Sequence, residues 1–320
     1  MSEKKWDVYV YGDVNADIII PGVEKLPAPG QEELVSSMET YVGGGAALFT
    51  LGIGKLGLHP VFQGAVGDDC YGHMIRETFE RAGVDTELLV TEKDERTGIS
   101  LSFTNAHDRS FLTYRGTNAD LSMDRVKIEK AGRARHIHVT GYEGEECHDS
   151  YARLLRRVKR ETGATVSFDV GWDPTGSWSS RIYELFPWID VLFMNETEAE
   201  HYGKTDSPEE AAVRFARECG QTVIKLGKKG SLAVKDGVVY HRPSYRVEAV
   251  DTTGAGDSFN AGYIYGFLKG EAVEKCLQYG NICGAFSVSA HGGNTGFPEG
   301  KELLRFAKGR ENEKVKSEQL

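Results

Sequence analysis

A three-layer α/β fold, with a mostly parallel sheet between helices and a small separate β-sheet beside it, is predicted by three features of the sequence. From residue 136 to 226 short apolar runs alternate with segments of helical period, the pattern of strands covered on both faces. The glycine-rich stretch Asp251-Thr252-Thr253-Gly254-Ala255-Gly256-Asp257 feeds directly into an apolar helix carrying Phe259, Tyr263, Ile264, Phe267 and Leu268. Two stretches, 18–42 and 97–115, have the alternating character of exposed strands and interrupt the regular pattern.

Taken in order, Val8-Tyr9-Val10-Tyr11-Gly12 is a buried first strand. Asp13-Val14-Asn15-Ala16-Asp17 follows at its C-terminal end, where open α/β sheets bind ligands. Ile18 to Val42, turning through Pro21, Pro27, Pro29 and Gly30, is a hairpin-like excursion. Gly43-Gly44-Gly45-Ala46-Ala47 opens a helix to about Gly57, then a strand at 61–65 and a helix at 71–82. Segments 97–104 and 110–115 are β pieces around a turn at Asn105-Ala106-His107-Asp108, expected to pair with the 18–42 excursion. Strands at 136–140, 165–169, 191–194 and 222–226 alternate with helices at 148–162, 178–187 and 208–219. Residues 231–234 and 238–241, split by Asp236-Gly237, make a hairpin, and a final helix spans about 272–289. The expected division is a core of 1–12, 43–96 and 118–308, an inserted β unit of 13–42 and 97–117, and a frayed polar tail, 309–320.

A chain of 320 residues with 40% hydrophobic and 27% charged residues has the make-up of a globular protein with a large core. The formal net charge of −10 argues against an extended nucleic-acid-binding face. Five dispersed cysteines without a C-x-x-C pair read as reduced thiols in a cytoplasmic setting. The N-terminus has no apolar signal core, and no run reaches membrane-spanning length.

The chemistry concentrates around Asp257. The first amides of a helix lack internal partners, so small residues there leave room for an anion. A carboxylate beside such a site is repelled by the anion, and a base that takes a proton from an attacking hydroxyl gives it a purpose. An N-capping Asp is the simpler alternative. Gly52-Ile53-Gly54-Lys55-Leu56-Gly57 matches G-x-G-x-x-G, yet it lies late in a helical stretch, so close helix packing explains it better than a dinucleotide site. Asn195 and Glu198 follow a strand and suit either a phosphate and Mg²⁺ or a helix cap. Lys225-Leu226-Gly227-Lys228-Lys229-Gly230 can line a nucleotide or form a solvated turn.

Together these motifs resemble the ribokinase-like, or PfkB-type, carbohydrate kinase family. Gly43 to Gly57 resembles its N-terminal glycine motif, Asp251 to Phe259 its C-terminal signature, and Asn195 with Glu198 its N-x-x-E motif. The resemblance implies a ribokinase-like fold and an ATP-dependent kinase acting on a sugar or sugar-like acceptor. It gives Asp257 the role of base, and the amides of Gly254, Ala255 and Gly256 that of an anion hole. Asn15, Asp17, Gly43, Gly44 and the lid residue Arg109 would bind the acceptor, with Arg115 a further candidate. Asn195, Lys225, Gly227, Gly230, Gly254, Gly256 and Asn281 would border ATP, Glu198 would organise Mg²⁺, and Asp251, Thr253 and Gly293 resemble a monovalent-cation site, for K⁺, found in some members. The two β excursions would form a lid, which dimerises in several members. Leu48 departs from the usual sugar-binding Asn, which opens the alternative of a nucleoside acceptor. Trp172, Tyr142 and Glu143 are further candidates for the cleft. Rival readings are an NAD(P)-dependent oxidoreductase using the 52–57 glycines and a non-catalytic ligand-binding member.

Overall fold

Burial alternates along the central strands as a sheet covered on both faces requires. Val191 and Phe193 enter one apolar cluster, while Leu192 and Met194 enter the other. The computed structural model describes residues 4–23, 25–104, 109–309 and 316–319, with Thr104, Arg109 and 316–319 described as backbone. The strands are β1 (Trp6–Tyr11), β2 (Asn15–Pro21), β3 (Glu39–Gly43), β4 (Pro60–Gly67), β5 (Leu89–Glu92), β6 (Gly98–Thr104), β7 (Arg109–Tyr114), β8 (Ala134–Thr140), β9 (Thr165–Asp169), β10 (Val191–Asn195), β11 (Thr222–Lys225), β12 (Ser231–Lys235), β13 (Val238–Arg242) and β14 (Lys316–Gln319). The helices are α1 (Gly45–Lys55), α2 (Cys70–Arg81), α3 (Ile128–Ala131), α4 (His148–Glu161), α5 (Glu196–Gly203), α6 (Pro208–Phe215), α7 (Ala255–Leu268), α8 (Val273–Ser287) and α9 (Gly300–Lys308).

The main sheet runs β14-β13-β12-β11-β10-β9-β8-β1-β4-β5. From β11 to β5 every pairing is parallel, and β12, β13 and β14 add antiparallel at one edge. One apolar cluster joins the sheet to α1, α2, α7, α8 and α9, and the other joins it to α4, α5 and α6. A second, four-stranded sheet runs β3-β2-β6-β7, with β2 and β6 parallel and the outer pairs antiparallel. The predicted fold class is therefore the observed one. The chain adds β4 on one side of β1 and later β8 on the other, so strand order reverses between β1 and β8. That switch point is where open α/β sheets present a ligand crevice.

The structure departs from the sequence-based reading at several elements. Segment 178–187, expected as a helix, is a 3₁₀ segment, Ser180–Trp188. Trp178 before it has a left-handed φ of 47°, and Pro187 inside it lacks a donor. The short β5 and the helix α9 were not anticipated, and α9 follows the helix expected to be last. Lys316–Gln319 of the polar tail is a strand paired with β13 rather than a frayed end. The expected turn at Asn105-Ala106-His107-Asp108 lies outside the described residues.

Candidate active site

A cavity of about 370 Å³ opens at the switch point, walled by Gly12, Asp13, Asn15, Gly45, Asn118 and Thr140, with Arg115 and Glu143 also lining it. Asp13 receives the N–H groups of Gly45 and Ala46 at 3.1 Å each, so a residue just past β1 caps α1 from a distance. Asn15 donates to Asp17, and it is Asn15 that stands on the wall. Gly43 leaves room for the Asp17 carboxyl: a Cβ there would lie 2.1 Å from Asp17 Cγ. Gly44 adopts a φ of 95°, which places its backbone against Asp13. Burial raises the Asp17 carboxyl from 3.8 to about 7, Asp13 and Asp251 add to the rise, and the Asn15 amide opposes it. Arg115 pairs with Glu143 at 3.0 Å, both partly exposed. The side chain of Arg109 lies outside the described residues.

A second cavity, of about 600 Å³, is walled by Lys225, Gly227, Gly230, Gly256, Phe259 and Asn281. Gly230, at φ 107°, could not carry a side chain, since a Cβ would lie 2.1 Å from the Arg242 carbonyl. Asn281 shapes this wall by donating to the carbonyls of Arg242 and Pro243 at 3.3 and 3.2 Å.

The first turn of α7 stands between the two cavities. Gly254 is its N-cap residue in left-handed conformation, and no side chain caps the turn. Asp257 faces the first cavity across Gly45, since a Cβ at Gly45 would lie 3.3 Å from Asp257 Oδ1 and 3.4 Å from Thr140 Oγ1. On the other side a Cβ at Gly256 would lie 3.3 Å from Lys225 Nζ. Lys225 donates to Asp169 Oδ2 at 2.6 Å, and Asn260 donates to the same oxygen. Burial pushes Asp257 well above the carboxylate range, Asp169 adds to this, and Lys225 opposes it. Burial alone would lower Lys225, but Asp169 and Glu198 outweigh it and hold the ammonium charged.

Asn195 and Glu198 form a complete capping box on α5: Asn195 Oδ1 accepts the Glu198 N–H at 2.8 Å, and Glu198 accepts the Asn195 N–H at 2.8 Å. The Asn195 amide also donates to Glu198 at 2.7 Å. Glu198 is nonetheless placed beside the Asp169–Lys225 pair: burial raises its carboxyl to about 7, Asp169 adds to the rise, and Lys225 opposes it. Asp251 accepts the Thr253 N–H at 2.9 Å, the Thr253 hydroxyl at 2.7 Å and the Gly292 N–H at 3.0 Å. The Gly293 carbonyl accepts the Ser258 and Ser287 hydroxyls, so these residues lock the two loops behind α7.

Three expectations change on this geometry, those for Leu48, Tyr142 and Trp172, while the helix-packing reading of Gly52 and Gly54 holds. Leu48 does not offer an apolar wall to the acceptor: it is buried, with its Cδ1 2.6 Å from where a Cβ at Gly254 would stand and 2.8 Å from one at Gly293. Gly52 and Gly54 are helix-packing glycines, pressed against Ala261 and the Ala82 carbonyl, so they form no dinucleotide turn. Tyr142 is buried packing. Trp172 is exposed and leans edge-on against Trp178, lining neither cavity. Conversely, Asp13, Asp169, Asn118 and Asn260 were missed. Asp13 and Asp169 carried the same signal as Asp17, a carboxylate at a strand's C-terminal end, while Asn118 and Asn260 carried none.

Comparison with known proteins shows the family. The sequence pattern of pfkB family carbohydrate kinases matches residues 5–300. A nucleoside kinase of Methanothermobacter thermautotrophicus is 30% identical over 312 residues, 96% of this chain and 97% of that protein. A 5-dehydro-2-deoxygluconokinase of Shouchella clausii is 29% identical over 317 residues, 94% and 95% of the two chains. The solved Arabidopsis thaliana ribokinase, complexed with ribose and ATP, superposes with a TM-score of 0.78 at 26% identity, covering 95% of this chain and 99% of that one. With a family match over residues 5–300, nearly its whole length, the chain belongs to the pfkB family of carbohydrate kinases.

Proposed function

We propose that the protein transfers the γ-phosphoryl group of ATP to a hydroxyl of a small sugar bound in the switch-point cavity, with Asp257 as the base. The observation that carries this reading is the position of Asp257, in the uncapped first turn of a helix that lines the larger cavity through Ala255 and Gly256 and packs against Gly45, a wall of the smaller one. The acceptor would lie among Asp13, Asn15 and Thr140, with Asp17, Gly43 and Gly44 shaping that wall. The adenine and ribose of ATP would fill the larger cavity beside Gly227, Gly230 and Asn281, and its phosphates would approach Lys225.

As the acceptor oxygen bonds to the γ-phosphorus, the bond from that phosphorus to the β,γ-bridging oxygen breaks and ADP leaves. The hydroxyl proton passes to an Asp257 carboxylate oxygen. The amides of Gly254, Ala255 and Gly256 face the charge that builds on the phosphoryl oxygens. The elevated pKa of Asp257 makes it a stronger base than an exposed carboxylate. Asp169, Glu198 and Asp257 gather around one ammonium, that of Lys225, a surplus of negative charge that suits a divalent cation carried with the nucleotide. Among the described residues no three acidic, histidine or cysteine side chains form a metal cage, so Mg²⁺ would be held by phosphates and, through water, by Glu198. Such an ion neutralises phosphate charge during transfer. A K⁺ ion beside Asp251, Thr253 and Gly293 is read out by the K⁺ dependence of kcat. Closure of the β3-β2-β6-β7 sheet would exclude water, and a second copy would meet this sheet at β7, which carries the exposed Phe111 and Leu112. The scattered free thiols fit a cytoplasmic protein, and no helix among the described residues is long and apolar enough to cross a membrane.

A nucleoside acceptor is the second reading, favoured by the nucleoside kinase relative and no longer by Leu48. ADP release across pentoses, hexoses, their phosphates, keto-deoxy acids and nucleosides decides between them. With the best acceptor, Asp257→Asn is expected to lose ~10²–10⁴ in kcat while its ATP affinity stays within a few-fold. The wild-type kcat/KM should rise with pH along a limb lying above the ordinary carboxylate range. Turnover of Asp257→Asn near the wild-type rate removes Asp257 from the base role.

A further inference from the structure

The chain crosses between the two sheets four times, near Val14, Gly44, Gly98 and Gly116, and three of these crossings, all but that at Gly44, meet at one side chain. Asn118 is 8% exposed, and both ends of its carboxamide bond the same residue: its Nδ2 donates to the Val14 carbonyl at 2.8 Å, and its Oδ1 accepts the Val14 N–H at 3.2 Å. This paired contact, like that between two strands, joins positions 104 residues apart. A Cβ at Gly98 would lie 2.5 Å from Asn118 Nδ2, 2.8 Å from the Arg115 carbonyl and 3.4 Å from Asn15 Cβ, so β6 enters the second sheet directly against the amide. Gly116, at φ 48°, folds the chain back so that Asn118 reaches Val14, while the Thr117 N–H donates to the Arg96 carbonyl at 2.9 Å. Asp13 ties the remaining crossing by receiving the Gly45 and Ala46 amides.

Asn118 borders the switch-point cavity, and one donor and one acceptor of its carboxamide are both committed to the Val14 backbone, which it holds at the cavity edge. Val14 is flanked by Asp13 and Asn15, both on the cavity wall. We propose that Asn118 is a positioning residue, which clamps the Val14 backbone so that Asp13 and Asn15 present their polar atoms to the acceptor while the second sheet moves. The inference rests on the acceptor site proposed above.

The test is Asn118→Ala, assayed with whichever of D-ribose, D-fructose, a 2-keto-3-deoxy sugar acid or adenosine releases most ADP in wild type. The acceptor KM should rise about 10-fold or more, while the KM for ATP stays within about 2-fold, because no contact of Asn118 reaches the nucleotide cavity. Asn118→Asp keeps the acceptor oxygen but sets a carboxylate oxygen against the Val14 carbonyl, so its acceptor KM should rise at least as far as that of Asn118→Ala. An acceptor KM within 2-fold of wild type in a folded Asn118→Ala, or KM values for both substrates rising together, overturns the proposal. If neither variant folds, amide exchange in the wild-type protein decides. Saturating acceptor should slow exchange at the Val14 N–H, and an unprotected Val14 in the acceptor complex overturns the clamp. Asp257→Asn run in parallel separates the two readings. Its loss of turnover beside an unchanged Asn118→Ala sinks only the clamp, whereas its retained turnover sinks the site assignment.

Discussion

At the residue scale, Asp17 is a carboxyl that folding keeps protonated near pH 7. Its pKa rises from 3.8 to about 7, chiefly by burial, with Asp13 and Asp251 adding to it. The folded state then holds a proton that the unfolded chain gives up above about pH 4. This group's contribution therefore falls as pH rises from about 4 to about 7, and below pH 4 it vanishes because both states are protonated. Asp17→Asn removes that penalty. Thermal melts should show equal Tm for variant and wild type near pH 4, and a variant Tm several degrees higher at pH 8. A Tm difference independent of pH would place the burial cost elsewhere. Above about pH 7, where the Asp17 carboxyl is ionised, the same variant should weaken acceptor binding, since a hydroxyl loses a charged acceptor. A buried carboxyl that is costly to hold yet adjoins an open cavity is the trade expected of a binding residue.

At the element scale, the entrance to α7 depends on two small residues and one large one. Gly254 takes a left-handed φ of 68°, and its missing Cβ leaves the space that Leu48 Cδ1 and the Gly293 backbone occupy. Gly254→Ala therefore combines backbone strain of about 1–2 kcal/mol with a steric clash. A lower Tm is expected, with kcat at least about 10-fold down as the amides shift, measured by melting and ADP release. Adding Leu48→Ala should recover part of the rate by relieving the clash. A double variant slower than the single one would show that Leu48 acts otherwise than by packing under the turn. Leu48 also shows the limit of motif reading. Its place after the glycine motif was legible, and whether it faces the acceptor depended on how α1 leans on α7, with Gly52 against Ala261.

At the scale of the whole molecule, a chain with net charge −10 gathers Asp169, Glu198 and Asp257 around the single ammonium of Lys225, at the place where phosphates are expected. Removing divalent cation with excess EDTA should abolish ADP release, and added Mg²⁺ should restore it. Persisting turnover in EDTA would count against the proposed use of Glu198.

Much of this architecture was legible in one dimension, because it follows from local rules. Two-residue and 3.6-residue periodicity marked most strands and helices, and the glycines before Asp257 marked an open helix start. Asp13 and Asp169 could have been read by the strand-end rule that selected Asp17. Other features depended on contacts between distant segments, which no local pattern encodes. The left-handed Trp178 ahead of the 3₁₀ segment, the pairing of Lys316–Gln319 with β13, and the Asn118–Val14 contact belong here. Sequence pattern alone thus specified most of the strands and helices and the open helix start before Asp257. Which polar groups share a cavity, and which carboxyls lose their water, followed only from the packing of those segments, since burial and charge proximity are properties of assembled surfaces.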